Sequence, residues 1–145
     1  MARIRAGEWG TEEYWRVRIS GYLNRELHPR QALMPRVIYV ALEGDCLVGF
    51  IAGHLTRRYD CHGELEWINV IPKRRRSRVA SELLRPLAEW FAVHGASRVC
   101  VDVDPANTAA RRFYTRHGAV KLNEHWLVWK DINSVLGAPV AEGPR

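Results

Sequence analysis

The spacing of apolar positions along the chain changes period several times, and each change marks an element. A short alternation at Ala2 to Ala6 suits a first strand, after which Thr11 stands as a helix cap with Glu12 and Glu13 in the first turn. Trp15, Ile19, Tyr22, Leu23 and Leu27 then make one apolar face until His28-Pro29 stops the run. The irregular segment Arg30 to Arg36 contains Pro35 and reads as a short turn or a lid over a pocket. From Val37 to Leu55 two near-continuous apolar runs, VIYVALE and LVGFIAGHL, flank Gly44-Asp45, which predicts a hairpin. Gly49 and Gly53 predict a bulge or the close approach of another segment. A third strand, Glu64 to Ile71, follows the tip TRRYDCHG; strands this apolar are buried on both sides and need helices above and below.

In the second half Val79, Leu83, Leu87 and Phe91 recur every fourth residue, the face of an amphipathic helix that stops at His94-Gly95. Pro86 inside it removes a backbone bond, at roughly 3 kcal/mol in an unadapted helix, and predicts a kink. The β-branched run Arg98 to Val103 follows, and strand, crossover helix and strand imply a parallel pair. Asp104-Pro105 leads to Asn107, a good helix cap, then to Ala110, Phe113 and Tyr114 on one face and to Gly118 as the stop. Strands Ala119 to Leu122 and Trp126 to Asp131 turn at Asn123 to His125. The domain is read as residues 1–132, with NSVLGAPVAEGPR, residues 133–145, as a flexible tail.

Size and composition narrow the class. With 145 residues, 47% hydrophobic and 26% charged, the chain makes one globular domain with a sizeable core. Its net charge of +6 favours an anionic partner, either a phosphorylated ligand or nucleic acid. Cys46, Cys61 and Cys100 are odd in number and lack CxxC spacing, so neither a disulfide framework nor a zinc site is indicated. His54 and His62 could join Cys61 around an ion, but no second matched pair of ligands accompanies them, and no metal is expected. Neither a signal peptide nor a membrane span is expected, and a cytoplasmic setting follows.

The densest chemical signal is Asn69 to Leu84, NVIPKRRRSRVASELL, a strand end, a basic turn and a helix start. Unpaired N–H groups and the positive end of the helix dipole converge there, among Lys73, Arg74, Arg75, Arg76 and Arg78. Such a turn suits a phosphorylated ligand, although a KRRRSR run is also what a solvated basic helix start looks like.

Val70, Pro72, Arg75 and Ala80 resemble the V-x-P-x-x-(Q/R)-x-x-G-x-(G/A) signature of the GCN5-related N-acetyltransferases (GNAT), with Arg78 in place of the usual glycine and Arg76 where glycine is frequent. Asn107, Ala110, Phe113, Tyr114 and Gly118 match the second signature, N-x-x-A-x-x-F-Y-x-x-x-G, at the expected distance. The resemblance spans residues 2 to about 131. It implies a single-domain acyl-CoA N-acyltransferase fold: a mixed, mostly antiparallel sheet of six to seven strands with helices on both faces. The third long strand and the one after it would splay to admit acetyl-CoA as cosubstrate. The backbone of Ile68, Asn69 and Val70 would bond the pantetheine arm. Arg75, Arg76, Ser77, Arg78, Val79 and Ala80 would hold the pyrophosphate, with Asn107 and Tyr114 completing the cofactor site.

The same resemblance casts Tyr114 as the acid that protonates the departing thiolate, a role open to a phenol at neutral pH. Counted back from Arg75, Glu64 matches the glutamate of histone-acetylating members. By strand alternation Glu64 and Glu66 are expected on one face together with Ile68 and Val70, as base or amine anchor. Trp67, Trp126 and Trp129 are read as core or pocket lining. The acceptor pocket is expected from Asn24 to Arg36 and Asn123 to His125. The resemblance thus implies direct acetyl transfer to a primary amine, small or peptide-borne. A homodimer is compatible with it, while nucleic acid and membrane are not expected partners. The alternative is a non-catalytic CoA- or nucleic-acid-binding module of the same fold, for which Arg78 is the argument.

Overall fold

The computed structural model describes Ile19 and residues 33–137. Ile19 is helical and buried, while the rest of the predicted first helix, the predicted strand Ala2–Ala6, the acceptor segment before Leu33 and the end of the predicted tail lie outside the described residues.

The hairpin forms as predicted, from β1 (Leu33–Glu43) and β2 (Cys46–Leu55), turning at Gly44 with φ +63°. β1 starts earlier than Val37, so residues 33–36 extend the strand and are not a lid; the register is irregular between Leu33 and Arg36, around Pro35, which has no N–H to give the ladder. β3 (Gly63–Val70) pairs antiparallel with β2 and parallel with β4 (Val99–Asp102). β6 (Trp126–Trp129) joins β4, and the two-residue β5 (Val120–Lys121) closes a six-stranded sheet of order β1-β2-β3-β4-β6-β5.

Helix α1 (Val79–Val93) is the predicted crossover, and it runs unbroken across Pro86. Its Leu83, Leu84, Leu87, Ala88 and Phe91 are buried in one core cluster with Ile51, Leu65, Val99, Val101 and Leu127. Gly53 and Gly63 let the helix come this close. A Cβ on Gly53 would lie 2.9 Å from Leu87 and Phe91, and one on Gly63 would lie 2.5 Å from the Phe91 ring. Helix α2 (Thr108–Arg116) adds Tyr114 to the same cluster. Residues 133–137, read from sequence as the start of a tail, form a short helix, α3 (Asn133–Gly137), whose Val135 is buried in that core.

The opposite face of the sheet carries another population. Paired residues on neighbouring strands share a face, and His54 pairs with Glu64, Glu64 with Cys100 and Cys100 with Val128. Cys61, Cys100, Trp126 and Val128 pack there as a second buried cluster. Between Ala52 and Gly53 the register of β2 on β3 slips: Ala52 faces Trp67 but Gly53 faces Leu65, so Glu66 is one residue too many. This bulge overturns one expectation. Ile68 and Val70 pair with Ile51 and Gly49 and lie over α1, whereas Glu64 sits on the opposite face with His54. Alternation counted through the strand cannot see an inserted residue, and one such residue exchanges the faces of everything beyond it.

Candidate active site

The basic turn begins as a 3-10 turn, Pro72–Arg74, set off from β3 by Ile71. Arg76 takes a left-handed backbone with φ +68°, the conformation a glycine would supply at no steric cost. Arg78, at the position of the signature glycine, has φ −89° and ψ 4° and directly precedes α1, so no glycine is required there. The basic side chains divide. Arg74 is tied to Glu43 of β1, with Nε donating to Oε2 at 2.7 Å and a second contact to Oε1, while Arg75 donates from Nε to the Val70 carbonyl at 3.2 Å. Arg75, Arg76, Ser77 and Arg78 are all exposed. Val79 N–H bonds Ser77 Oγ at 3.3 Å, whereas the N–H groups of Arg78, Ala80 and Ser81 meet no acceptor among the described residues. The start of α1 therefore presents free donors amid positive charge, a setting for phosphate.

Beside this turn the sheet opens. β3 and β4 pair only at Gly63, Glu64 and Leu65, while β4 stays bonded to β6 as far as the Val103 N–H, which donates to the His125 carbonyl at 2.7 Å. From Trp67 to Val70, β3 keeps its pairing with β2 but has no partner strand on the other side among the described residues. The predicted splay is thus present, with Ile68, Asn69 and Val70 along its edge.

On the face away from α1, Glu64 and Glu66 meet a residue that the sequence offered only as a metal ligand. His54, fully buried, places Nε2 3.4 Å from Glu64 Oε1 and Nδ1 3.9 Å from Glu66 Oε1. The donor atoms of the three lie within 4.8 Å of one another. Cys61 and His62 go elsewhere: Cys61 packs with Cys100, and His62 Nδ1 accepts from the Arg98 N–H at 3.2 Å. Arg58 Nε donates to Glu64 Oε1 at 3.1 Å while its guanidinium lies 4.8 Å from the Trp126 ring centroid, on which Tyr59 also packs edge-on. Arg58 was not among the expected site residues. The signal that could have found both is the β2–β3 connection, since closing the hairpin at Leu55 and Gly63 sets His54 opposite Glu64.

Tyr114 is 5% exposed, packed edge-on to Phe113 and Trp129 at 5.4 and 5.7 Å. Asn107 caps α2 as predicted, its Oδ1 accepting from the Ala110 N–H at 3.1 Å. The Asn123–His125 turn is held from within by Asn123 Oδ1, which accepts from the N–H groups of His125 and Trp126. From without, Arg111 of α2 donates to the Glu124 carbonyl at 2.6 Å. Leu33, Met34, Leu55, Thr56, Arg57 and Asp60 line a cavity of about 630 Å³ at the end of the sheet away from the basic turn.

An opened β3–β4 pair, a donor-rich basic turn and a helix with an Asn cap and a buried Tyr agree with the chain's similarities to known proteins. The sequence matches the acetyltransferase (GNAT) family over residues 4–119. The chain belongs to this family. No curated protein matches it. Among solved structures, a protein assigned to the GNAT acetyltransferases from Desulfovibrio desulfuricans is similar with a TM-score of 0.69 at 18% identity, covering 90% of this chain and 89% of that one. An aminoglycoside 6'-acetyltransferase type Ii follows at TM-score 0.66 and 19% identity, covering 90% and 86%. PaiA N-acetyltransferase from Thermoplasma acidophilum, solved with coenzyme A, has a TM-score of 0.60 at 15% identity, covering 87% and 82%. At these identities the structures speak for the GNAT fold, a mixed six-stranded sheet with helices. No helix of the described residues is long and apolar enough to cross a membrane.

Proposed function

We propose that this GNAT protein transfers an acetyl group from acetyl-CoA directly to a primary amine. The observation that carries the reading is the parting of β3 from β4 after Leu65, immediately before the basic turn. A pantetheine arm lying along Ile68 to Val70 takes the place of the missing strand, and the pyrophosphate meets the N–H groups at the start of α1 among Arg75, Arg76 and Arg78. Arg76 supplies the left-handed turn that glycine gives elsewhere and adds a charge, so the arginines at the glycine positions do not oppose the reading.

The chemistry needs a base for the ammonium, donors for the carbonyl oxygen and an acid for the thiolate. The carboxylates of Glu64 and Glu66 supply the first and suit a cationic acceptor, whereas Tyr114 supplies the last. One structural neighbour is named for aminoglycosides, which are polyamines, and these join peptide N-termini, lysine side chains and linear polyamines as acceptors to try. The test is a panel of such amines with acetyl-CoA, following release of free CoA thiol, alongside calorimetry of acetyl-CoA binding at low salt. Turnover with at least one amine is expected. No heat of binding and no thermal protection by acetyl-CoA would remove the reading.

A further inference from the structure

Helix α2 carries Tyr114, yet apolar packing does little to hold it, for of its nine residues only Tyr114 is buried. Polar ties at its two ends supply the rest. Near its start Arg111 donates to the Glu124 carbonyl at 2.6 Å and so fastens the helix to the turn between β5 and β6. At its end His117 is held twice. Its carbonyl accepts from Trp129 Nε1 of β6 at 3.0 Å, and its ring, edge-on to Phe113, places Nε2 3.0 Å from Ser81 Oγ. Ser81 lies in the first turn of α1, among the N–H groups that meet no acceptor. Neither Ser81 nor His117 occupies a defined position of the two family signatures, so the resemblance gives this contact no role. The contact also crosses the opening of the sheet. α1 follows β3 and α2 follows β4, the two strands that part after Leu65, and the hydrogen bond joins the helix on one side to the helix on the other.

We infer that Ser81 and His117 are positioning residues for acetyl transfer: their hydrogen bond fixes α2 against the start of α1 and so sets Tyr114 at a constant distance from a cofactor anchored at the basic turn. This assignment rests on the acetyltransferase reading and links its acid to its phosphate site. A general acid acts only within hydrogen-bond reach of the atom it protonates, and a misplacement of about 1 Å can cost on the order of 10² in rate. On that reading the pyrophosphate is fixed at α1, whereas the thiolate meets a phenol on α2. An error in the spacing of the two helices therefore appears at the sulfur. Phe113 and Trp129, which flank the Tyr114 ring, belong to α2 and β6, the same side of the opening, so they orient the ring without setting its distance from α1. The apolar core beneath is attractive but non-directional, while a hydrogen bond fixes both distance and angle. Ser81 and His117 are both partly buried, which limits the competition from water. The hydroxyl can donate or accept, so the bond forms with either tautomer of the ring.

Two measurements separate this assignment from the function on which it rests. The first needs no turnover: ¹³Cζ-tyrosine NMR of the full chain, assigning Tyr114 by its loss in Tyr114→Phe. Ser81→Ala is expected to move or broaden the Tyr114 signal, while Ser81→Thr, which keeps the hydroxyl, leaves it in place. A Tyr114 signal indifferent to Ser81→Ala overturns the tie whether or not any amine is acetylated. The second uses acetyl-CoA with whichever panel amine turns over. Ser81→Ala and His117→Ala should each lower single-turnover transfer about tenfold, while calorimetric affinity for acetyl-CoA changes by less than about threefold. The double variant should lose no more than either single one, because both remove the same bond. His117→Gln, whose amide reaches the place of Nε2, should recover most of the rate. Additive losses, a His117→Gln no faster than His117→Ala, or a loss confined to acetyl-CoA affinity overturns the assignment. Failure of every amine in the panel counts against the acetyltransferase reading and leaves the Tyr114 signal to decide the tie.

Discussion

The basic turn and the triad of His54, Glu64 and Glu66 are two charged assemblies among the described residues, and they are built in opposite ways. The turn is contiguous in sequence, solvent-exposed, and gets its shape from one strained backbone at Arg76 and a helix start with unused N–H groups. The triad gathers His54 from β2 and Glu64 and Glu66 from β3, largely buries them, and depends on a register slip. Exposed charge is screened and tolerant of replacement; buried charge is held in place by its partners and sensitive to each of them. On the proposed acetyltransferase reading, the exposed design would grip a mobile polyanion and the buried one would manage a proton.

The group expected to act between these assemblies gives the largest effect. Tyr114→Phe keeps the ring against Phe113 and Trp129 and deletes the one phenolic proton. Single-turnover acetyl transfer should fall by on the order of 10² to 10⁴ while calorimetric affinity for acetyl-CoA changes little. Unchanged single-turnover rates would leave Tyr114 as a packing residue and the acid unassigned.

The second effect is on stability, because the turn and the triad both hang on β3, against whose other face α1 packs. Gly63→Ala puts a methyl carbon 2.5 Å from the Phe91 ring in a filled core, and overpacking of this kind costs about 1–3 kcal/mol. A fall in the unfolding free energy by that amount, read from a lower denaturant midpoint at unchanged m, is expected, with acetyl-CoA binding weakened as α1 shifts. An unchanged midpoint means that Phe91 swings aside freely and that the close approach does not constrain the helix.

How much of this was legible follows from the same contrast. The hairpin, the crossover helix, the Asn107 cap and the basic turn are local, and periodicity, caps and charge reported them directly. Glu64 and Glu66 stand out in the sequence, yet alternation puts Ile68 and Val70 on their face, because nothing within β3 marks Glu66 as an insertion; the slip exists only against β2. His54 and Arg58 were missed as partners for the same reason. α3 was missed because Val135 follows polar Asn133 and Ser134 and precedes Gly137, too few apolar positions to show a period, and its burial comes from the core it meets.

The third prediction probes the turn. Arg75→Ala should weaken acetyl-CoA about tenfold at low salt, with the difference shrinking as salt rises. Arg76→Gly should stabilise the fold by about 1 kcal/mol, since a left-handed backbone strains any residue with a Cβ. Thermal unfolding of both variants, with and without ligand, separates charge from strain. A destabilised Arg76→Gly would mean that the side chain contributes more than its backbone strain removes.

The smallest effect lies at the edge of the triad, where the sign of a pH dependence can be worked out. Asp102 closes β4 just where β3 leaves it, and its carboxyl is pushed above the ordinary range, first by burial and then by the charges of Glu64 and Asp104, against the pull of His125 and Arg58. A carboxyl whose folded value is raised binds its proton more tightly in the native state than in the unfolded one. Ionising it therefore draws the balance toward unfolding as pH rises through the folded value. Below the unfolded value of about 3.9 both states are protonated and the effect is absent. Asp102→Asn, which keeps the shape and drops the charge, should accordingly melt slightly higher than the parent at pH 7, with the gap closing as pH falls through the raised folded value and gone below about 4. Salt should narrow the gap at pH 7, because Asp102 retains exposed surface and its neighbours' charges are screened there. Removing Glu64 first, as Glu64→Gln, should also shrink it. A gap of the same size with or without Glu64 would mean that burial alone raises the carboxyl and that the triad's charge does not extend across the parting of the strands.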